Sequence, residues 1–539
     1  MKVHQFRRSI FIIGVFIVLG CLQLAFFYTY PLNIGYYDSY NYLQIIYTGD
    51  SHLIHATGYP FILSGILGLL NWTPQADYLE NLHWLRQLQE TQLGIHLLIS
   101  LGIYLLVHKI FGFWVSLIAL ILVGTNLSLM ANVNSASPEW LQGDLAILSF
   151  LLLIQARNFV SLKKLVLILF SALVFAAAYL VKYNTLLVAP AFMGILLFGY
   201  GQKKLVSGIG LCILFITTCG ILIFTFANTL HFKTTGTKQL SYDHAWVLTA
   251  SLPRDYFLYS PNELGINALR FIALVKSTPK PPPNDLTFAF DMGPNAEVRT
   301  IYQKQYQEIF DLTRQELIQY ISDRPFPEKF TAFNSSIPLY YFYGLPITDN
   351  LGINVFIEAL SDYPLVFLKR SYESIKGLLI TPPPTQYYPL FSNIKGFVFE
   401  GNQPISGWIS LKYNDQRYPQ FAMYFNPSRK VNFYGVQFFD FLNQPFVNGF
   451  FTFLYPCLNI VALIAIFIVR PGQTRIYYYS IFLGVTCFIF CTTLLLDVRP
   501  KEAVFITPLY SLCIAIAVVA LMASIRNKSM RFKQIVRNN

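Results

Sequence analysis

Residues 165–200 read LVLILFSALVFAAAYLVKYNTLLVAPAFMGILLFGY, with no acid and a single basic residue, Lys182. A helix crosses the hydrocarbon core of a bilayer in about 17 to 25 residues, so this run is too long for one crossing. The polar triplet Lys182-Tyr183-Asn184 in its middle supplies a turn. The stretch therefore predicts two membrane helices, 165–181 and 186–200.

Working outward, comparable apolar runs lie at 9–29, 91–108, 112–131, 139–157, 205–227, 450–469, 476–496 and 503–523, which brings the expected number of spans to ten. The composition agrees. Of 539 residues, 54% are hydrophobic and 12% charged, well below the roughly 25% charged of a soluble domain. Gly58 to Trp72 is apolar but only about half a bilayer long, so it is expected to lie in the interface or to dip in and return.

Orientation follows from the basic residues, which resist translocation. With the N-terminus inside, the inner segments 1–8, 109–111, 157–164, 201–204, 470–475 and 524–539 hold sixteen Lys and Arg and no Asp or Glu. Counting Gly58 to Trp72 as a span would reverse everything after it and destroy this asymmetry. The formal charge of +12 is thus juxtamembrane and meets anionic headgroups rather than nucleic acid. The tail from Arg526 to Arg537 reads as a topology anchor. All seven cysteines lie in expected spans, and 229–446 has none, so that region owes nothing to disulfides, which favours a bacterial envelope. Cys487 and Cys491 read as packing residues. The first span lacks a small-residue cleavage site and is expected to stay as a helix.

The fold class expected is an all-α polytopic membrane protein of about ten helices, with a large mixed extracytoplasmic region between helices seven and eight. Three parts emerge: a seven-helix module 1–228 with a first outer loop 30–90, the outer region 229–446, and three helices with a basic tail at 447–539. Pro281-Pro282-Pro283 and Pro382-Pro383-Pro384 mark linkers in the outer region. Segments 300–322 and 355–379 carry helical spacing, and 386–446 is expected as short strands or irregular structure.

Three features carry chemistry. Asp38, in Tyr37-Asp38-Ser39-Tyr40-Asn41-Tyr42, places a carboxylate just beyond the first span; it reads equally as the cap of a helix starting at Ser39 or Tyr40. In Ser135-Ala136-Ser137-Pro138-Glu139-Trp140, Ser137 suits an N-cap, Pro138 the first turn, and Glu139 the positive helix end. Asp144, deeper in the same apolar helix, is costly in lipid and should face a protein or watery interior. Lys182, Arg499 and Lys501 are cations on the same outer face, suited to phosphate, although Arg499 could equally pair with Asp497.

These residues resemble the GT-C superfamily, in particular the branch of protein O-mannosyltransferases and aminoarabinose transferases that uses polyprenyl-phosphate sugars. The matching stretches are Tyr37 to Tyr42 with Gly58-Tyr59-Pro60, Ser137-Pro138-Glu139, Val181-Lys182-Tyr183-Asn184, Ala359 to Pro364, and Arg499 before the last span. The resemblance implies a seven-helix module and an acidic base in the first outer loop, which carries over to Asp38. Many relatives have an acidic pair there, whereas Ser39 follows Asp38 here, and Gly58-Tyr59-Pro60 replaces a fuller Pro-Pro signature.

The function expected is a membrane glycosyltransferase of the inner (plasma) membrane, acting on the extracytoplasmic side. Asp38 and Glu139 are the expected catalytic residues, with Lys182, Arg499 and Lys501 on the donor phosphate. Tyr37, Tyr42, Tyr59 and Asp144 are the expected substrate contacts. The partners are a polyprenyl-phosphate-linked sugar, the bilayer, and a protein, lipid or glycan acceptor. No cofactor is expected, since cations suffice for a phosphate leaving group; Asp38 and Glu139 would be the ligands of a divalent ion if one took part. A transporter or flippase for lipid-linked sugars is the alternative, and a scaffold displaying 229–446 a third.

Overall fold

In the computed structural model the described residues are 2–29, 39–49, 56–74, 81–199, 205–235, 256–279, 296–324, 342–380, 445–469, 473–495 and 500–538, with a few positions between, among them 398–400 and 403–406. Helices are α1 (Lys2–Thr29), α2 (Ser39–Thr48), α3 (Gly58–Leu69), α4 (Leu82–Phe111), α5 (Phe113–Gly124), α6 (Leu127–Val133), α7 (Glu139–Ala156) and α8 (Ser161–Val181). They continue as α9 (Tyr183–Gly199), which mixes 3-10, α and π turns, and α10 (Leu205–Phe226). Segment 229–446, the expected outer region, holds α11 (Ile266–Ser277), α12 (Ala296–Asp311), α13 (Arg314–Ser322), α14 (Leu345–Asp362) and α15 (Pro364–Ile380), and the helices that follow are α16 (Pro445–Ile468), α17 (Gln473–Leu495) and α18 (Pro500–Asn538). An antiparallel hairpin, β1 (Val398–Glu400) with β2 (Gln403–Ser406), falls where short strands were expected.

The chain is an all-α multi-pass membrane protein. Seven described helices are long and apolar enough to cross a bilayer: Arg7–Thr29, His83–Phe111, Glu139–Ala156, Leu162–Val181, Val206–His231, Thr474–Thr492 and Val504–Arg526. An eighth would come from Pro346–Asp362 with Pro364–Glu373, were that pair, bent by 93°, a single span. The three remaining runs of the expected ten fall on shorter apolar helices, Phe113–Gly124, Tyr183–Gly199 and Cys457–Ile468. Local chemistry sets the breaks. Gly112, at φ +92°, separates α4 from α5, a conformation costly for any residue with a Cβ. Lys182, in extended conformation, ends α8 where the polar triplet predicted a turn. The interfacial stretch forms α3, one face buried through Gly58, Tyr59, Pro60, Leu63 and Leu67.

One apolar core joins α1–α10 to α16–α18, from Ile12 to Ala517. Helix α7 lies at its centre, packed against α8, α4 and α18. At Gly143 a Cβ would stand 2.8 Å from the Phe505 carbonyl oxygen, so only glycine lets α18 approach this closely. A second core joins Tyr256 and Phe257 to α11–α15. Its helix ends are closed by side chains: Thr313 and Glu316 form a capping box on α13, and Glu358 of α14 accepts from the Asn267 and Ala268 backbone N–H groups at the start of α11, at 3.3 and 3.0 Å.

Candidate functional site

The head of α7 is built by the residues that precede it. Asn132, at the end of α6, accepts the Trp140 backbone N–H on Oδ1 at 3.0 Å and donates through Nδ2 to Ser137 Oγ at 3.1 Å. Ser137 Oγ in turn donates to Glu139 Oε2. This corrects one expectation. Ser137 does not cap the helix: its hydroxyl is engaged by the Glu139 carboxylate, Pro138 holds the cap position, and Asn132, eight residues upstream of Trp140, supplies the side-chain acceptor.

Glu139 is buried, and its Oε1 receives Lys182 Nζ at 2.7 Å. Two residues distant in sequence are thus brought together as an ion pair, its carboxylate at 2% and its ammonium at 18% side-chain exposure. In such surroundings charges persist only when paired and hydrogen-bonded. The backbone of Lys182 is held from the same helix. One turn after Glu139, Gln142 Nε2 donates to the Lys182 carbonyl at 3.3 Å, to Thr185 Oγ1 at 2.7 Å, and to Asn184 Oδ1. Helix α7 therefore grips the end of α8 twice, by side chain and by main chain.

Tyr59 forms the floor beside this pair. Its hydroxyl donates to Gln92 Oε1, and its ring lies edge-on to Tyr42 at 5.5 Å and to Trp140 at 6.5 Å. Gly58 permits that placement, since a Cβ there would stand 2.5 Å from the carbonyl carbon and oxygen of Leu180. Asp144 faces away from Glu139 toward α4, where its Oδ2 meets His96 Nδ1 at 2.6 Å with both groups buried. The expected interior-facing acid is present, and its partner is a histidine that sequence reading did not single out. The His96 ring stands edge-on to Trp140 at 6.0 Å.

Of the expected site residues, Glu139, Lys182, Tyr59 and Tyr42 are brought together, with Asp144 one layer below. Tyr37, Asp38 and Arg499 lie outside the described residues, as does the side chain of Lys501, whose backbone is in the first turn of α18. Helix α2 begins at Ser39, where a helix after Asp38 was expected. Among the described residues no group of three or more His, Cys, Asp or Glu side chains is placed to hold a metal.

Sequence reading missed Gln92, Asn132, Gln142 and His96, and also Arg86. That guanidinium stacks over Phe27 at 4.0 Å and Tyr28 at 4.3 Å, and bonds Gln89 at 3.0 Å and Glu90 at 3.3 Å, tying the start of α4 to the end of α1. The overlooked signal was polar residues recurring three and four apart, Gln89, Gln92, His96 and Ser100, in a helix otherwise rich in Leu and Ile.

No protein-family model matches the chain, and the comparisons with curated proteins and with solved structures likewise give no match.

Proposed function

We propose that this protein is a glycosyltransferase that moves a sugar from a polyprenyl-phosphate donor to an acceptor hydroxyl on the extracytoplasmic face of a bacterial inner membrane. The observation that carries the reading is the buried Lys182–Glu139 pair at the head of α7, beside Tyr59 and Tyr42. A lysine held by a carboxylate at the edge of an apolar bundle suits a ligand that has a phosphate at one end and a hydrocarbon chain at the other. The segment carrying Asp38 is covalently continuous with α2, whose Tyr42 packs on Tyr59.

In this mechanism Asp38 takes the acceptor O–H proton as the oxygen attacks the anomeric carbon. The bond from that carbon to the phosphate oxygen breaks on the opposite face, inverting configuration. Its electron pair leaves on the phosphate, where Lys182, Arg499 and Lys501 offset the developing charge. Glu139 fixes Lys182 and so sets where the phosphate sits. No step requires a metal.

The test is release of polyprenyl phosphate from a panel of polyprenyl-phosphate sugars by the protein reconstituted in liposomes. Asp38→Asn is expected to abolish release while thermal unfolding stays unchanged; equal release by both proteins would remove Asp38 from the reaction. The buried His96–Asp144 pair favours a second reading, a transporter of lipid-linked sugars, because ionisable pairs inside bundles mark transport paths. Movement of labelled lipid-linked sugar across the liposome membrane without release of polyprenyl phosphate would decide for it.

A further inference from the structure

Helix α4 carries a row of polar side chains, Gln89, Gln92, His96, Ser100 and Tyr104, three, four, four and four residues apart and all buried. At 1.5 Å per residue the row runs roughly 22 Å along the helix. Its first part has protein partners: Gln89 donates to Asn134, Gln92 accepts from Tyr59 and donates to the Val133 carbonyl, and His96 meets Asp144. Beyond that point His96, Ser100 and Tyr104 line a small cavity together with Gln23 of α1 and Leu120 and Val123 of α5.

Gln23 lines this cavity and a second one beside it, between α1, α4 and α6. It lies in the first membrane helix, its side-chain oxygen is buried, and that oxygen has no hydrogen-bond partner among the described residues. Lipid offers no substitute donor, so an amide left this way is costly. We infer that the cavity is a binding site for one ordered water molecule, shared by α1 and α4.

Size and chemistry both fit. The centre of a water-sized sphere has about 10 Å³ available, which is room for one molecule. The Asp144 carboxylate fixes the imidazole proton on His96 Nδ1, leaving Nε2 as an acceptor. A water has two hydrogens, one for the Gln23 oxygen and one for His96 Nε2. Its two lone pairs accept from the hydroxyls of Ser100 and Tyr104. All four hydrogen-bonding positions of the water are then filled. The water locks the tautomer that Asp144 selects and links Gln23 of α1 to the His96–Asp144 pair.

The experiment uses the full chain in lipid bilayers with ¹⁵N-labelled histidine and solid-state NMR. Magnetisation transfer from water to the His96 ring nitrogen, identified by its loss in His96→Gln, is expected in the wild-type protein, and its absence there overturns the inference. Gln23→Met keeps length and removes the acceptor. Around a bound water it lowers the melting temperature and weakens the transfer. In a dry cavity the same change relieves an unsatisfied amide, so an unchanged or raised melting temperature also overturns the inference. If Gln23→Met does not fold, the wild-type transfer measurement decides by itself.

Discussion

The bundle and the outer helices place their polar side chains differently. In the outer helices several close helix ends: Thr313 and Glu316 on α13, Glu358 on α11, and Lys276, whose Nζ donates to the carbonyls of Ile321 and Arg324 at 2.8 and 2.7 Å. In the bundle the named polar groups reach between helices: Glu139 to Lys182, Asp144 to His96, Gln142 to the turn after α8. An exposed contact has less at stake, whereas in an apolar interior a lost partner leaves the full desolvation cost behind. The difference teaches where to look for function: among the buried polar groups of the bundle, of which the head of α7 holds an ion pair.

The sharpest way to break this comparison is Lys182→Met, which leaves the Glu139 carboxylate buried without its cation. A loss of about 3–5 kcal/mol is expected, from the cost of halving a buried pair, read by thermal or denaturant unfolding in detergent micelles. Adding Glu139→Gln should recover most of it. A cost of Lys182→Met as small as that of an exposed ion pair would place the pair with the outer region's contacts.

Next in size is Gly58→Ala. Its new Cβ would be set against the Leu180 backbone, so a loss of about 1–3 kcal/mol is expected from overpacking; full stability would show that α3 does not seat on α8 as described. Glu358→Ala should cost about 1–2 kcal/mol as a lost cap. Hydrogen exchange should locate the effect at the start of α11 and leave α7 protected, which separates the two regions in one measurement.

The smallest effect is at Glu316. Its carboxylate is held below the ordinary glutamate range first by the Thr313 hydroxyl and then by the Thr313 backbone N–H. A depressed carboxyl contributes stability above the unfolded value, near 4.3, and loses it as pH falls through the lower folded value. Protection at the start of α13, corrected for intrinsic exchange, should therefore fall on acidification below about 4.3, and Thr313→Ala should flatten that dependence.

Much of the architecture was legible because lipid imposes a simple rule on sequence. Lys182-Tyr183-Asn184 could be read as a turn, since a polar triplet inside an apolar run has few other meanings, and α8 ends there. Glu139 was legible as an acid at a helix head. Its partner was not, because 43 residues separate Glu139 from Lys182 and nothing local encodes which cation the carboxylate meets. His96 was hidden for a different reason: one histidine among leucines looks like an ordinary core residue until Asp144 is seen across from it. The joining of α16–α18 to the first module was equally illegible, since the packing partner of Gly143 is supplied by Phe505, far along the chain.

Helices α14 and α15 meet at a bend of 93°. Two helices at right angles cannot both stand along the membrane normal. Helix α14 belongs to the outer core through Val355, Phe356 and Ala359, whereas α15 packs against α16 and α17 and turns Leu365, Leu368 and Tyr372 outward. The elbow between Asp362 and Pro364 thus hands the chain from one apolar core to the helices of the other.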